Sequence, residues 1–168
     1  MNNILFLNDK DFSTKTVSSG VVITTRITNI SVVMFYSPKC QYSRDLMPLF
    51  RKLPTTLSGC IFAIANISKY PNIVNISRTT KMPIRYVPLL ILFVNGLPYM
   101  EYKGEYTIDN IKQFILDTSN SVYNNIPRET MKHVTQHPDH PVPVYSLGIP
   151  IFTGIANYVE FNTTGTKS

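Results

Sequence analysis

The sequence is poor in cysteine, in long apolar runs and in clustered charge. Its 168 residues contain only Cys40 and Cys60, so a small fold held together by several disulfides is excluded. The longest apolar run, Val87–Val94, contains a proline and is far shorter than the roughly 20 residues of a membrane helix. The first residues lack the basic segment that opens a secretory leader. We therefore expect no membrane span and no export. The expected location is the cytoplasm, a reducing compartment in which thiols are more often reactive or buried than paired in disulfides.

Runs of like charge are missing as well. The chain has 16 Lys and Arg against 10 Asp and Glu, a net charge of +6, and the excess lies in residues 1–118. Scattered cations are compatible with an acidic partner and do not indicate a nucleic acid. Two groups of cations would form a basic rim for acidic partners or for the carboxylates of glutathione if they gather in space; the alternative is an ordinary solvated face. These groups are Arg44, Arg51 and Lys52, and Arg78, Lys81 and Arg85.

Apolar runs alternate with amphipathic segments over residues 1–118. Runs rich in β-branched and aromatic residues predict strands at Ile4–Leu7, Val21–Thr25, Val32–Ser37 and Ile61–Ile67, the second without a clear place in the order. Helical spacing follows Cys40, recurs between Pro71 and Thr80, and returns at Asp109–Leu116, which is capped by Thr107 or Asp109. Two further strands, Val87–Val94 and Tyr99–Tyr102, flank a hairpin turn. The pattern predicts an α/β fold with a central mixed β-sheet flanked by helices.

Composition changes near Asp117. Residues 119–168 hold five of the 12 prolines and all three histidines, yet they carry many apolar side chains. We expect residues 1–118 to form one domain and residues 119–168 to form an extended, proline-rich C-terminal arm. Such an arm would pack on its own domain or add an edge strand to a neighbour. The histidines, His133, His137 and His140, lack an accompanying cysteine or acidic cluster, so we predict no metal site and no cofactor.

The clearest chemical signal follows the strand Val32–Ser37. Cys40 stands where a helix begins, with Lys39 and Arg44 nearby and Ser43 three residues further on. Unpaired backbone N–H groups and the positive end of the helix dipole stabilise a thiolate at such a position. Cys40 is therefore the candidate nucleophile.

The order of elements and motifs over residues 1–118 resembles that of thioredoxin. Phe35–Cys40 matches the aromatic strand that leads into the family's Cys-x-x-Cys loop, and Ile84–Pro88 matches the segment that ends at its cis-proline. Asn95-Gly96 matches the hairpin turn, and Gly104 the glycine after the last strand. The resemblance implies a thioredoxin-like fold.

The resemblance breaks at residues that carry chemistry. Ser43 replaces the second thiol, so the internal disulfide with which a thioredoxin releases its mixed-disulfide partner is unavailable. Met34 stands where thioredoxins have a buried acidic residue that assists proton transfer. Cys60 precedes a strand that the fold makes parallel to the one before Cys40. The two thiols should thus lie toward opposite ends of the sheet, beyond the roughly 7 Å that a disulfide allows between Cα atoms. We expect Cys60 to be buried.

The resemblance also implies a place for substrate. Lys39, Tyr42 and Arg44 would border the thiol, and the backbone of Val87, just before Pro88, would pair with an extended peptide held across it. Two hypotheses follow. The favoured one is a protein-binding or structural module with at most single-thiol exchange. The alternative is an active exchange protein that forms mixed disulfides with a protein partner or with glutathione through Cys40.

The structural hypothesis has a narrower form. Asn, Ile and Tyr are abundant, which is compatible with AT-rich coding as in many large DNA viruses. A chain of such origin would be a minor capsid-associated component of the virion, anchored by its C-terminal arm.

Overall fold

A computed structural model describes residues 4–18, 20–123 and 149–150. The strands are β1 (Ile4–Leu7), β2 (Phe12–Val17), β3 (Gly20–Thr25), β4 (Ile30–Tyr36), β5 (Ile61–Asn66), β6 (Leu89–Val94), β7 (Leu97–Glu101) and β8 (Ile149–Pro150). The α-helices are α1 (Gln41–Thr56), α2 (Asn72–Ser77) and α3 (Ile108–Tyr123), and a short 3-10 helix spans Asp9–Asp11. No helix within these ranges is long and apolar enough to cross a membrane.

Six strands form one mixed sheet in the order β1-β5-β4-β6-β7-β8. The strand β5 is parallel to both β1 and β4, whereas β6 is antiparallel to β4 and β7 is antiparallel to β6. All six residues of β6 and all but the last of β4 are buried, as expected for central strands covered on both faces. The predicted α/β fold with a mixed sheet and flanking helices is confirmed.

Alternate residues of β4 enter two different cores. Met34 packs with Phe50 of α1 and with residues of α3, whereas Phe35 packs on the opposite face with residues of β3 and α2. The rings of Phe50 and Phe62 meet edge to face with centroids 5.8 Å apart. Because successive side chains of a strand point to opposite faces, the central strand β4 contributes to both cores. The helix α1 packs against the first of these cores.

A β-hairpin, β2 and β3, covers the second core. The sequence predicts a strand at Val21–Thr25, and the structure gives it a partner that the pattern did not indicate: Phe12–Val17. Four residues of this partner, from Ser13 to Thr16, are exposed, so its sequence lacks the apolar alternation of a strand with one buried face. The hairpin is anchored where Thr25 N–H donates to the Gly96 carbonyl at 3.0 Å. A Cβ at Gly96 (φ 85°) would lie 2.4 Å from the Thr25 carbonyl oxygen, so this turn requires glycine.

The structure shows which residue caps the third helix, α3. It also shows that α3 extends beyond residue 118, the predicted end of the domain. Thr107 is the cap, since its Oγ1 accepts from Asn110 N–H at 3.1 Å. The helix continues to Tyr123, and Thr118 and Ser121 are buried. Of the predicted arm beyond it, the described part is β8, whose backbone pairs with Met100 and Glu101 of β7. The three histidines lie outside the described residues, and the division of the chain into a domain and an arm remains a prediction.

Candidate functional site

The fold places Cys40 at the junction between β4 and α1. Its backbone is extended (φ −94°, ψ 126°), which makes it the N-cap of α1. Its N–H donates to the Ser37 carbonyl at 3.0 Å, and its own carbonyl accepts from Arg44 N–H at 3.0 Å. These bonds fix the backbone on both sides of the thiol, and the side chain remains partly exposed.

A second segment approaches the thiol from the start of β6. The peptide bond between Val87 and Pro88 is cis, which the sequence alone left open, and the Cys40 Sγ lies 3.6 Å from the Val87 carbonyl oxygen. Residues 47 positions apart in the chain are thereby brought into contact. The predicted neighbourhood of Cys40, Val87 and Pro88 is present in the structure.

The surroundings of Cys40 lower the pKa of its thiol. The main cause is the backbone N–H of Ser43, which donates to the sulfur; partial burial opposes this effect. The Ser43 hydroxyl, the Tyr42 N–H and the positive charge of Arg44 lower the pKa further. Donors at the first turn of a helix stabilise the thiolate because they are otherwise unpaired. The residue in place of a second thiol therefore helps to activate the first.

Ser43 itself is 1% exposed. Its Oγ accepts from Ser37 N–H at 3.3 Å, which leaves the hydroxyl proton free to be donated to the sulfur. A hydroxyl at this position orients and stabilises the thiolate, but it cannot form a disulfide.

The other cysteine lies at the far end of β4. Ser31 of β4 is opposite Ile61, directly after Cys60, whereas Tyr36 is opposite Asn66. A seven-residue strand spans about 20 Å, so the two thiols are too far apart for a disulfide. Burial raises the pKa of Cys60 to about 12. The predicted separation of the two thiols is confirmed, whereas Cys60 is only partly buried, against the core that contains Phe50.

Sequence reasoning missed a polar cluster beside Pro88. Tyr86 donates its hydroxyl proton to Glu101 and accepts from the Lys103 ammonium, and Lys103 and Glu101 form an ion pair at 3.2 Å. Tyr106 donates to the Pro88 carbonyl at 3.4 Å. These residues come from a loop, from β7 and from the segment before α3. Only the register of the sheet brings them together, so no local motif could have revealed the cluster.

The Thioredoxin family model matches residues 5–117. The chain belongs to the thioredoxin family. It is 38% identical to uncharacterized protein 196R of Invertebrate iridescent virus 6 over 119 residues, which is 69% of this chain and 68% of that protein. It is 31% identical to uncharacterized protein 020R of Invertebrate iridescent virus 3 over 154 residues, 88% of this chain and 87% of that protein.

A solved structure shares the fold. The chain superposes on human ERp44 (form II) with a TM-score of 0.53 and 20% identity, over 71% of this chain and 31% of that one. The chain thus spans about a third of ERp44. A likeness at this level of identity concerns the fold alone.

The structure shows the surroundings of Met34, which stands where thioredoxins have a buried acidic residue. Met34 is fully buried in the apolar cluster with Leu46 and Phe50, so its position holds no group that transfers protons.

Tyr42 is 70% exposed beside the thiol. Lys39 is exposed, and the Arg44 guanidinium donates to the Pro38 carbonyl at 2.8 Å and to the Gln41 side chain at 2.5 Å. The structure thus gathers the five predicted substrate-binding residues around Cys40, and their role in binding remains a prediction.

Proposed function

We propose that this thioredoxin-family protein performs single-thiol disulfide exchange through Cys40 and holds its partner as a mixed disulfide. The observation that carries the proposal is the position of the Cys40 Sγ. It lies at the first turn of α1, where donors lower its pKa, and 3.6 Å from the Val87 carbonyl at the cis-proline.

The proposed reaction needs no cofactor. The Cys40 thiolate attacks one sulfur of a partner disulfide, a new S–S bond forms, and the other partner sulfur leaves as a thiolate. An outside thiolate, such as that of glutathione, later attacks the partner sulfur in the mixed disulfide. This second step regenerates the Cys40 thiolate, so each exchange conserves the number of disulfides and thiols.

Ser43 determines how long the intermediate lives. In a dithiol site the second cysteine attacks the mixed disulfide from within the same loop. The buried Ser43 hydroxyl cannot form an S–S bond, so release depends on the concentration of outside thiol. The protein would therefore retain partners in a reducing environment longer than a dithiol thioredoxin does.

Glutathione adducts test the proposal. Full-length protein is incubated with oxidised glutathione near neutral pH, quenched with acid and weighed by intact mass spectrometry. The parent protein and its Cys60→Ser variant should each gain one glutathione that a reductant removes, whereas Cys40→Ser should gain none. An unmodified parent protein, or equal adduct on Cys40→Ser, would contradict the proposal.

A second candidate, a structural role of the C-terminal arm, has one observation in its favour. The match to protein 020R of Invertebrate iridescent virus 3 covers 88% of this chain. Residues 1–118 are too few for that share, so the similarity continues into the arm. We infer that the arm contributes to function, for example by anchoring the protein in a virion. In that case Cys40→Ser would still be incorporated into particles, whereas a chain without residues 127–168 would not.

A further inference from the structure

Loops that carry cations, and that are far apart in the sequence, lie side by side at the end of the sheet that carries Cys40. β4 and β5 end side by side there, with Ile67 N–H donating to the Tyr36 carbonyl at 2.9 Å. Just beyond these ends the hydroxyl oxygens of Ser37 and Ser68 are 2.5 Å apart. Lys39 follows the first serine by two residues and Lys69 follows the second by one, and both lysines are exposed. Two lysines from different loops thereby stand at the end of the sheet that carries Cys40, with the Lys69 ammonium 5.5 Å from the centre of the Tyr70 ring.

Two arginines extend this arrangement. Arg44 is anchored on the carbonyl of Pro38, the residue before Lys39, and its charge acts on the Cys40 thiol. Arg85 is exposed and lies two residues before Val87, whose carbonyl contacts that thiol. We refer to Lys39, Arg44, Lys69 and Arg85 as the thiol rim.

No carboxylate pairs with the thiol rim in the part of the chain that the structure describes. The two ion pairs found there are Arg26–Asp11 and Lys103–Glu101. Asp45, on the first turns of α1, accepts instead from the Gln41 side chain at 2.6 Å. Arg44 acts directly on the Cys40 thiol, and the four exposed cations together exceed the single charge of Asp45, so the thiol rim carries a net positive charge.

We propose that the thiol rim binds an acidic polypeptide, with carboxylates on both sides of the disulfide that Cys40 attacks. This inference rests on the proposed exchange and adds the class of its substrate. An extended strand rises about 3.3 Å per residue, so carboxylates within about three residues of the attacked cysteine would reach the rim. The exposed ring of Tyr42 supplies apolar surface beside the rim.

The structure distinguishes the cations of the thiol rim from two other exposed cations on α1, which the sequence alone could not do. Arg51 and Lys52 are also exposed on α1, but they follow Cys40 by 11 and 12 residues. At 1.5 Å per residue they lie about 17 Å further along the helix. They are an internal control with the same charge as Lys39 and Arg85, away from the thiol.

The test measures the attack of Cys40 on synthetic peptides in a Cys60→Ser background. Each seven-residue peptide carries one central cysteine as a mixed disulfide with 2-thiopyridine, flanked on both sides by Glu, Gln or Lys. Attack by the Cys40 thiolate on the peptide sulfur releases pyridine-2-thione, which is followed by absorbance. Rates are divided by those with 2-mercaptoethanol, which removes intrinsic differences between the peptides.

At low salt the Glu peptide should react about tenfold faster than the Gln peptide, and the Lys peptide should be slowest. In about 1 M salt, where the Debye length is about 3 Å, the three rates should converge. The double variant Lys39→Gln/Arg85→Gln should lose most of the preference, whereas Arg51→Gln/Lys52→Gln should keep it. Because a change in the Cys40 pKa alters all three rates equally, the ratio reports on the rim alone.

Equal rates for the three peptides, or an equal loss of preference in both double variants, would overturn the acidic substrate and leave the exchange intact. Failure of every peptide to release pyridine-2-thione would overturn the exchange and the rim together.

Discussion

The Ser43→Cys variant is expected to shorten the lifetime of the Cys40 mixed disulfide by about a hundredfold or more. Ser43 lies on the first turn of α1, and its side chain already reaches the Cys40 sulfur, as its effect on the Cys40 pKa indicates. A thiol there attacks from within the molecule, where well-oriented groups act at effective concentrations far above those of free thiols. Release would then no longer depend on outside thiol. The measurement is the half-life of a preformed glutathione adduct as a function of added reductant.

Ser43→Ala is the matched control. It introduces no thiol, so the adduct should persist as in the parent protein. It also removes a hydroxyl that stabilises the thiolate, so the pKa of Cys40 should rise and the adduct should form more slowly. An adduct on the Ser43→Cys protein that persists as long as on the Ser43→Ala protein would show that the side chain at position 43 does not reach the sulfur.

Phe50→Ala is expected to lower the free energy of unfolding by about 3–5 kcal/mol. Phe50 is fully buried in α1, and its ring meets that of Phe62 edge to face. A loss of this size is a large fraction of the roughly 5–15 kcal/mol that stabilises a typical domain. Urea unfolding followed by circular dichroism gives the free energy. Labelling of Cys60, which packs against the same core, gives a second readout of opening.

Phe6→Ala provides the comparison for this prediction. Phe6 is 71% exposed on β1, and the guanidinium of Arg51 lies 5.9 Å from the centre of its ring. Little apolar surface is lost on its removal, so the change should stay within about 1 kcal/mol. Equal destabilisation by the two alanine substitutions would mean that α1 is not held to the sheet by the Phe50 cluster.

The sequence predicted most of the fold because its central strands are buried on both faces. Val32–Ser37 and Ile61–Ile67 are recognisable as strands from composition alone, and they match β4 and β5 to within two residues. The strand Phe12–Val17 was not predicted, because its exposed residues are polar and because its pairing with β3 depends on the tertiary structure. The predicted strand Val87–Val94 begins two residues later, at Leu89, after the cis peptide bond.

The candidate site was predicted only in part, because some of its contacts lie within one short segment whereas others depend on how the chain folds. Cys40 and Ser43 are three residues apart at the start of α1, so their relation could be inferred from spacing. The donation from Ser37 N–H to the Ser43 Oγ depends instead on how β4 enters the helix. The approach of the loops that carry Lys39 and Lys69 depends on the parallel pairing of β4 and β5, which the order of residues in the sequence does not specify.

The central claim is that Cys40 is an accessible, activated thiolate, and the pH dependence of its alkylation tests this most directly. The rate of modification by a small reagent such as iodoacetamide is measured in a Cys60→Ala background. A thiol whose folded pKa is lowered remains reactive as the pH falls below the ordinary value near 8.5. We predict an apparent pKa for Cys40 clearly below that value. An ordinary pKa, or a thiol that does not react in the folded protein, would contradict single-thiol exchange at this site.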